Sequence, residues 1–535
     1  MLPLLMSRSL WNLRHRYPLT RRQIFRHLAL PNGGGEFQSG EKTLVMQEET
    51  EKQTARQMYV DIGASTITRL PFATLEPEDI AFFQQLLPNR ALTDPDVLAS
   101  ANVDWLQNVQ GLSQILLRPQ TVEEVSLILR HCHLRGLAIT PQGGKTGLVG
   151  GGVPIFDEVI VSMALMNHII DFDDWQGVLV CEAGCILESL MQYVEKRGRV
   201  IPLDLGSKGS CQIGGVVSTN AGGLRFIRYG SLRSNVLGLQ AVLADGQVLD
   251  LMTQLRKDNT GYDLKQLMIG SEGTLGVVTS VTLLCPPMPV GVSLAYLGCT
   301  GFPGVLATLC AARSRLGERL SAIEFFDHQC AHLVHTHLGL NPPISGEFPF
   351  YVVVEMVDSD SHEDNEKISA FFEEVMEEGH VADGTIATTP GKVKTLWAYR
   401  ERIPEAILRD GHVIKYDICV SINMMYDIVT ATRQRFADRI KNTLGYGHLG
   451  DGNLHLNISL TTPDPTLHSD LNDFIYGWTA KHRGSVSAEH GLGVLKRHAI
   501  GYSKSSDAIA LMRRLKNMMD PKGILNPYKV LPSEL

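Results

Sequence analysis

Pro141-Gln142-Gly143-Gly144-Lys145-Thr146-Gly147-Leu148-Val149-Gly150-Gly151-Gly152-Val153-Pro154 is the densest glycine run in the chain. Glycine has no Cβ, so successive backbone N–H groups can turn inward and surround an anion such as a phosphate. In a nicotinamide-binding βαβ unit a loop of this kind opens straight into a helix whose N-terminus faces the pyrophosphate. Here Gly152 leads instead to Val153-Pro154 and an apolar, strand-like run over residues 158–163. A P-loop is excluded as well, because its Lys is followed by Ser or Thr at a fixed spacing and Lys145-Thr146 stands too early. On these residues alone the loop is either a cofactor cradle of another kind or a bare turn.

Three later segments extend the pattern. Leu203-Asp204-Leu205-Gly206-Ser207 is followed by Ile213-Gly214-Gly215-Val216-Val217-Ser218-Thr219-Asn220-Ala221-Gly222-Gly223, and then by Gly270-Ser271-Glu272-Gly273-Thr274-Leu275-Gly276-Val277. Together with the first loop, over residues 106–285, they resemble the FAD-binding domain of the vanillyl-alcohol oxidase and p-cresol methylhydroxylase (PCMH) type. The resemblance implies an α+β chain whose FAD domain has two subdomains. It implies that the first loop, Pro141 to Leu148, holds the pyrophosphate. Gly206, Ser207, Gly214, Gly215, Ser218, Thr219, Asn220, Gly222 and Gly223 then lie along the flavin and ribityl chain, and Glu272, Gly276 and Val277 approach the adenine side. No His or Cys occurs in residues 141–154, so the FAD is expected to be non-covalent.

Around these loops the sequence reads as mixed α and β. Residues 78–87 form a helix candidate, and residues 121–135 another, with Thr121 as N-cap and Glu124 at the capping-box position. Strands are expected at 138–141, 158–163, 178–181, 234–243 and 276–283, and a helix at 186–197. Pro286, Pro287 and Pro289 make residues 285–291 an extended connector and the main internal boundary. Beyond it a buried strand is expected at 351–356, a charged helix at 363–378, and partly helical stretches at 393–409 and 417–444. The division is thus residues 1–50, 51–105, 106–285 and 286–535.

At 535 residues the chain exceeds one ordinary core. Its net charge of −8 gives no electrostatic footprint for nucleic acid. Nine scattered cysteines with no CxxC pair exclude a zinc ribbon and a secreted disulfide framework, and suit small buried residues. The first 35 residues carry Arg8, Arg14, Arg16, Arg21, Arg22 and Arg26 and no acid, as a mitochondrial transit peptide does, with a linker running to residue 50. No apolar stretch is long enough to span a membrane.

Gly447-His448-Leu449-Gly450-Asp451-Gly452-Asn453-Leu454-His455-Leu456-Asn457 sets two imidazoles around a Gly-Asp-Gly turn, and Ser487-Ala488-Glu489-His490-Gly491 adds a carboxylate and a third imidazole. Two His and one Glu are the three-ligand set of an open divalent site, with zinc the commonest occupant. Hydrogen-bonded histidines in a glycine-rich turn are an equal reading of the residues. Both segments, however, resemble the C-terminal domain of the FAD-linked oxidases, whose members include D-lactate dehydrogenases, glycolate oxidase subunits and D-2-hydroxyglutarate dehydrogenases. The resemblance implies His448, His455 and Glu489 as ligands of Zn²⁺ or another divalent metal, a ferredoxin-like cap region, and His490 as the base beside the substrate.

Within that family the match is closest to the D-2-hydroxyglutarate subfamily, on Trp397-Ala398-Tyr399-Arg400-Glu401-Arg402-Ile403-Pro404, Lys415-Tyr416-Asp417, Gly501-Tyr502-Ser503-Lys504 and the tail Asp520-Pro521-Lys522-Gly523-Ile524-Leu525-Asn526-Pro527-Tyr528-Lys529. It implies Arg400, Lys415, Asn457, His490 and position 404 as substrate contacts and Asn526 as a cofactor contact. Cations suit a substrate with a second carboxylate. The implied activity is oxidation of D-2-hydroxyglutarate to 2-oxoglutarate, with the C2 hydride passing to flavin N5, in the mitochondrial matrix, with electron-transferring flavoprotein as acceptor. A homodimer is compatible with it. Two residues depart from the subfamily: Lys145 replaces an Asn, and Pro404 replaces a Thr that touches substrate. The rival readings are a D-lactate or related D-2-hydroxy acid dehydrogenase and a non-catalytic flavin-binding scaffold.

Overall fold

The computed structural model describes residues 59–62, 65–358 and 361–532. The transit peptide and linker expected in residues 1–50 lie outside the described residues. Three sheets carry the architecture. The first is small and mixed: Ile139–Gln142 and Leu116–Leu117 both run parallel to Val159–Ser162, and Ala91–Leu92 adds an antiparallel edge. The glycine loop therefore leaves the end of a parallel strand, Ile139–Gln142, as the sequence predicts. The edge strand draws residues before 106 into this sheet. The tail joins it too, since Leu525 bridges to Ile139 and the Asn526 N–H donates to the Ile139 carbonyl.

The second sheet is antiparallel, in the order Val248–Leu251, Val236–Val242, Val277–Leu284, Val178–Glu182, Ile169–Asp173. One apolar cluster fills the space between the two sheets, from Ile128 and Leu129 to Val281 and Leu283. The connector after Val277–Leu284 is extended, and Val200 and Met288 anchor it through backbone bonds to Pro286 and Gly198.

The third sheet has seven antiparallel strands in the order Val381–Ala387, Gly291–Cys299, Phe350–Asp358, Leu320–Asp327, Asn442–His448, Asn453–Leu460, His412–Cys419. Its first four strands, with helices Phe302–Leu316 and Ser361–Glu377, make a ferredoxin-like βαββαβ unit with order 4-1-3-2. Four helices cover one face through Val305, Phe371, Val429 and Leu471. The opposite face carries Tyr351, Phe326 and Tyr446, packed under helices His328–Leu338, Pro390–Glu401 and Ile403–Leu408.

The partly helical stretch expected at 417–444 is helical over Asp427–Phe436, with a 3-10 turn at Ile422–Met424, and its ends, 417–419 and 442–444, are strand. Val413, Ile414 and Ile418 favour extended backbone, and pairing with Asn453–Leu460 decides the matter. Thr121 does cap Val122–Arg135 through Glu124 N–H, but the Glu124 carboxylate takes the Gln120 N–H and Arg90 instead of closing a box on Thr121. Of the nine cysteines, only Cys310 is exposed and Cys419 partly so. Among the described residues no helix is long and apolar enough to cross a membrane.

Candidate active site

Side chains alternate across a strand, so register alone decides which residues share a face. In the seven-stranded sheet Glu324 pairs with His448, Tyr446 with His455, His455 with Asp417, and Asn457 with Lys415. All therefore stand on one face, and the Gly450–Gly452 turn returns the chain so that both imidazoles meet, as the motif predicts. His455 Nε2 lies 3.4 Å from His448 Nε2. Glu489 Oε1 lies 3.7 Å from the first of these histidines' partner, His448 Nε2, and 3.6 Å from His455 Nε2. Donors bonded at about 2.1 Å around a tetrahedral ion are separated by about 3.4 Å. The three atoms fit a divalent ion.

The three donors differ in charge state: burial would lower His448, but the charges and hydrogen bonds of Glu324 and Glu489 outweigh it and raise it well above the usual imidazole range, so it would ligate only on losing a proton. Burial holds His455 down to about 3, so its ring stays neutral. Burial would raise Glu489, but the bond and charge of His448 outweigh it and hold the carboxyl down to about 2. A second grouping, Asp417 with His455, Glu489 and His490, also has donor atoms within 4.8 Å of one another. Asp417 is the weaker ligand, because its oxygens already accept the N–H groups of Glu489 at 3.0 Å and His490 at 2.9 Å and the Asn453 amide at 2.8 Å.

His490 stacks on His455 at 5.7 Å between centroids, with Nδ1 at 3.6 Å from Asp417 Oδ2 and Nε2 at 3.8 Å from Glu489 Oε1. Arg400 is buried. Its Nε donates to Glu324 Oε2 at 2.9 Å, while Nη2, 2.7 Å from the same oxygen, is too poorly aligned for a hydrogen bond. Its guanidinium lies 4.7 Å over the Tyr446 ring, and the Tyr446 hydroxyl accepts from Asn457 Nδ2 at 2.7 Å. Lys415 has no hydrogen-bond or ion-pair partner among the described residues, and burial lowers its pKa. Pro404 lies in the first turn of Ile403–Leu408, where a missing N–H costs nothing.

The cofactor segments converge from the other side. Gly143 sits against Gln212 and Gly215, and a side chain on Gly144 would strike the Ser210 carbonyl. Asn526 Nδ2 donates to the carbonyls of Gly151 and Glu272, at 3.0 and 2.7 Å. Lys145, Asn220, Glu272 and Asn526 all adopt left-handed backbone, with φ of 54°, 47°, 53° and 44°, and such strain gathers where a ligand is clamped. Gln212 Oε1 is buried without a partner beside Gly143. That orphaned acceptor and the Cβ-free faces of Gly147, Gly206 and Gly215 fit a polar cofactor. The Lys145 ammonium bonds the Ser100 carbonyl.

Glu272 has a second task. Its carboxylate accepts the N–H groups of Leu492 and Gly493, both at 2.8 Å, so it grips the loop that carries Glu489 and His490. Asp417 grips the same loop from the other sheet. Between them lies Lys496, buried, its Nζ without a hydrogen bond, attracted to both carboxylates and lowered by burial. Glu324, Asp417, Gln212 and Lys496 are the site residues the motifs did not single out. A carboxylate between apolar neighbours, as Glu324 between Ile323 and Phe325, was the available signal.

Comparison with known proteins identifies the family. A family model described as "FAD binding domain" matches residues 113–252, and one described as "FAD linked oxidases, C-terminal domain" matches residues 289–530. A Rattus norvegicus protein named mitochondrial D-2-hydroxyglutarate dehydrogenase is 57% identical over 87% of this chain and 87% of its own. An Arabidopsis thaliana protein of the same name is 51% identical over 88% of this chain and 85% of its own. A solved structure of p-cresol methylhydroxylase superposes with a TM-score of 0.66, covering 84% of this chain and 96% of that one at 14% identity, which speaks for the fold. The chain belongs to the family of FAD-linked oxidases that includes the mitochondrial D-2-hydroxyglutarate dehydrogenases.

Proposed function

We propose that the protein is an FAD-dependent dehydrogenase that oxidises D-2-hydroxyglutarate to 2-oxoglutarate in the mitochondrial matrix and hands its electrons to electron-transferring flavoprotein. The observation that carries this reading is the polar belt on one sheet face. On it stand His448, His455 and Lys415, and against it lie Glu489 and His490 from a loop and Arg400 from a helix. The identity with relatives bearing that name supports the substrate.

FAD would be held by the loop from Pro141 to Leu148, the segments from Gly206 to Gly223 and from Glu272 to Val277, and Asn526. A divalent metal, zinc by preference, would be held by His448, His455 and Glu489. When bound, the two supply an electron-pair acceptor and a Lewis acid toward a hydroxyl oxygen. The chain's own residues do the rest. Arg400 and Lys415 fix the substrate carboxylates, and the Asn457 amide, oriented by Tyr446, adds a polar contact. His490, backed by Asp417, takes the hydroxyl proton. The helices over this face and the FAD domain keep water from the reacting centre.

An anaerobic flavin-reduction series with D-2-hydroxyglutarate, D-malate and D-lactate tests the assignment. D-2-hydroxyglutarate should bleach the flavin fastest. Faster reduction by D-lactate would make the protein a monocarboxylate dehydrogenase, and reduction by none of them would leave a flavin-binding scaffold.

A further inference from the structure

The strand Leu320–Asp327 is buried along its whole length, and Glu324 within it is 0% exposed. A lone carboxylate there would be strongly unfavourable, so its partners define its purpose. It has two, one at each oxygen. His448 Nδ1 stands 2.7 Å from Oε1, while Arg400 Nε donates to Oε2 at 2.9 Å. The strand register sets Glu324 directly opposite His448, and Arg400 arrives from the helix Pro390–Glu401 above the sheet.

We infer that Glu324 is a positioning residue that orients the metal donor His448 and the substrate cation Arg400 at once. An ionised carboxylate only accepts, so His448 Nδ1 must be the protonated nitrogen. The ring's other nitrogen, Nε2, then faces His455 and Glu489, the direction in which an ion would sit. At the other oxygen, the hold on Nε keeps the guanidinium over the Tyr446 ring and against Glu324, with Nη2 buried and without an aligned hydrogen bond. One side chain thereby sets the metal pocket and the anion pocket in a fixed relation. Residues in this relation to a metal ligand change metal affinity by about ten- to a hundredfold when altered.

The inference rests on the metal reading of His448, His455 and Glu489, and Glu324→Gln separates the two. An amide has one acceptor and one donor end, so it cannot satisfy both partners, although its shape is unchanged. Zinc affinity is measured by competition with a chromophoric chelator on flavin-loaded wild type and variant, and KM and kcat for D-2-hydroxyglutarate on both. The charged guanidinium keeps the amide oxygen, so the NH2 end faces His448 and zinc affinity should fall at least tenfold with flavin content unchanged. Glu324→Asp keeps the charge but is one methylene shorter. It reaches one partner only, so either zinc affinity or KM should move tenfold. If both variants hold zinc and substrate within twofold of wild type, Glu324 is only a buried structural acid. If wild type takes up no zinc, the metal reading fails and this inference with it.

Discussion

Gly222 and Glu489 meet across the gap between the FAD domain and the seven-stranded sheet: a Cβ on Gly222 would lie 2.6 Å from Glu489 Oε2. The flavin-side segment therefore abuts the proposed metal site, and the missing side chain at 222 is what admits the carboxylate.

Gly222→Ala should act through that contact. The backbone there is not left-handed, so alanine adds no backbone strain, and the new Cβ presses on Glu489, 2.6 Å from Oε2 and 3.2 Å from its Cβ. We expect zinc affinity to fall by roughly tenfold as Oε1 is drawn from the histidines, read at matched flavin loading because Gly222 belongs to the segment proposed to hold FAD. Unchanged zinc affinity, read by chelator competition, would place Glu489 outside the donor set.

His490→Ala should leave both cofactor loops intact and remove the base. Anaerobic flavin reduction by D-2-hydroxyglutarate should slow by about 10²–10⁴-fold, with flavin content as in wild type. Stopped-flow spectra measure it, and wild-type rates in the variant would exclude His490 from the chemistry.

Lys496→Met removes the ammonium shared by Asp417 and Glu272 while keeping much of its volume. Asp417 and Glu272 then lose the positive charge that attracts both, and a measurable loss of stability is expected. Urea unfolding of the flavin-loaded protein reads it. A loss below measurement would mean that the backbone N–H groups alone suffice to hold both acids.

Asp410 supplies the pH dependence. It is buried. Burial raises its pKa, but bonds from Ser459, Asn442 at 2.8 Å, Lys441 and His337 outweigh that and hold it below the usual carboxylate range. A carboxyl lowered in the folded state adds stability that is complete above its unfolded pKa, about 3.9, and is lost as pH falls below it. Asp410→Asn should therefore be less stable than wild type near neutrality, and the gap should narrow on acidification below about pH 4. Denaturant midpoints across that range test the sign.

Much of the site was legible because its constraints are local. The glycine loops announce themselves wherever backbone must turn left-handed or leave room, as at Gly144, Gly222 and Gly491. His448 and His455 share one hairpin, and Glu489 and His490 are consecutive. Glu324 and Asp417 were hidden for the opposite reason. Their meaning comes from strand pairing between segments far apart in the chain, Glu324 with His448 and Asp417 with His455. The same non-local pairing turned residues 417–419 and 442–444 into strands. Pro404 shows a further limit: its place in a helix first turn explains why the proline is tolerated, and the sequence alone offered only a missing hydroxyl.

The grip of Asp417 and Glu272 on residues 489–493 has a consequence for biogenesis. One acid belongs to the seven-stranded sheet and the other to the FAD domain, so the loop takes its shape only after both have folded and docked. A chain in which one of the two has not yet folded thus carries the site's side chains without their geometry.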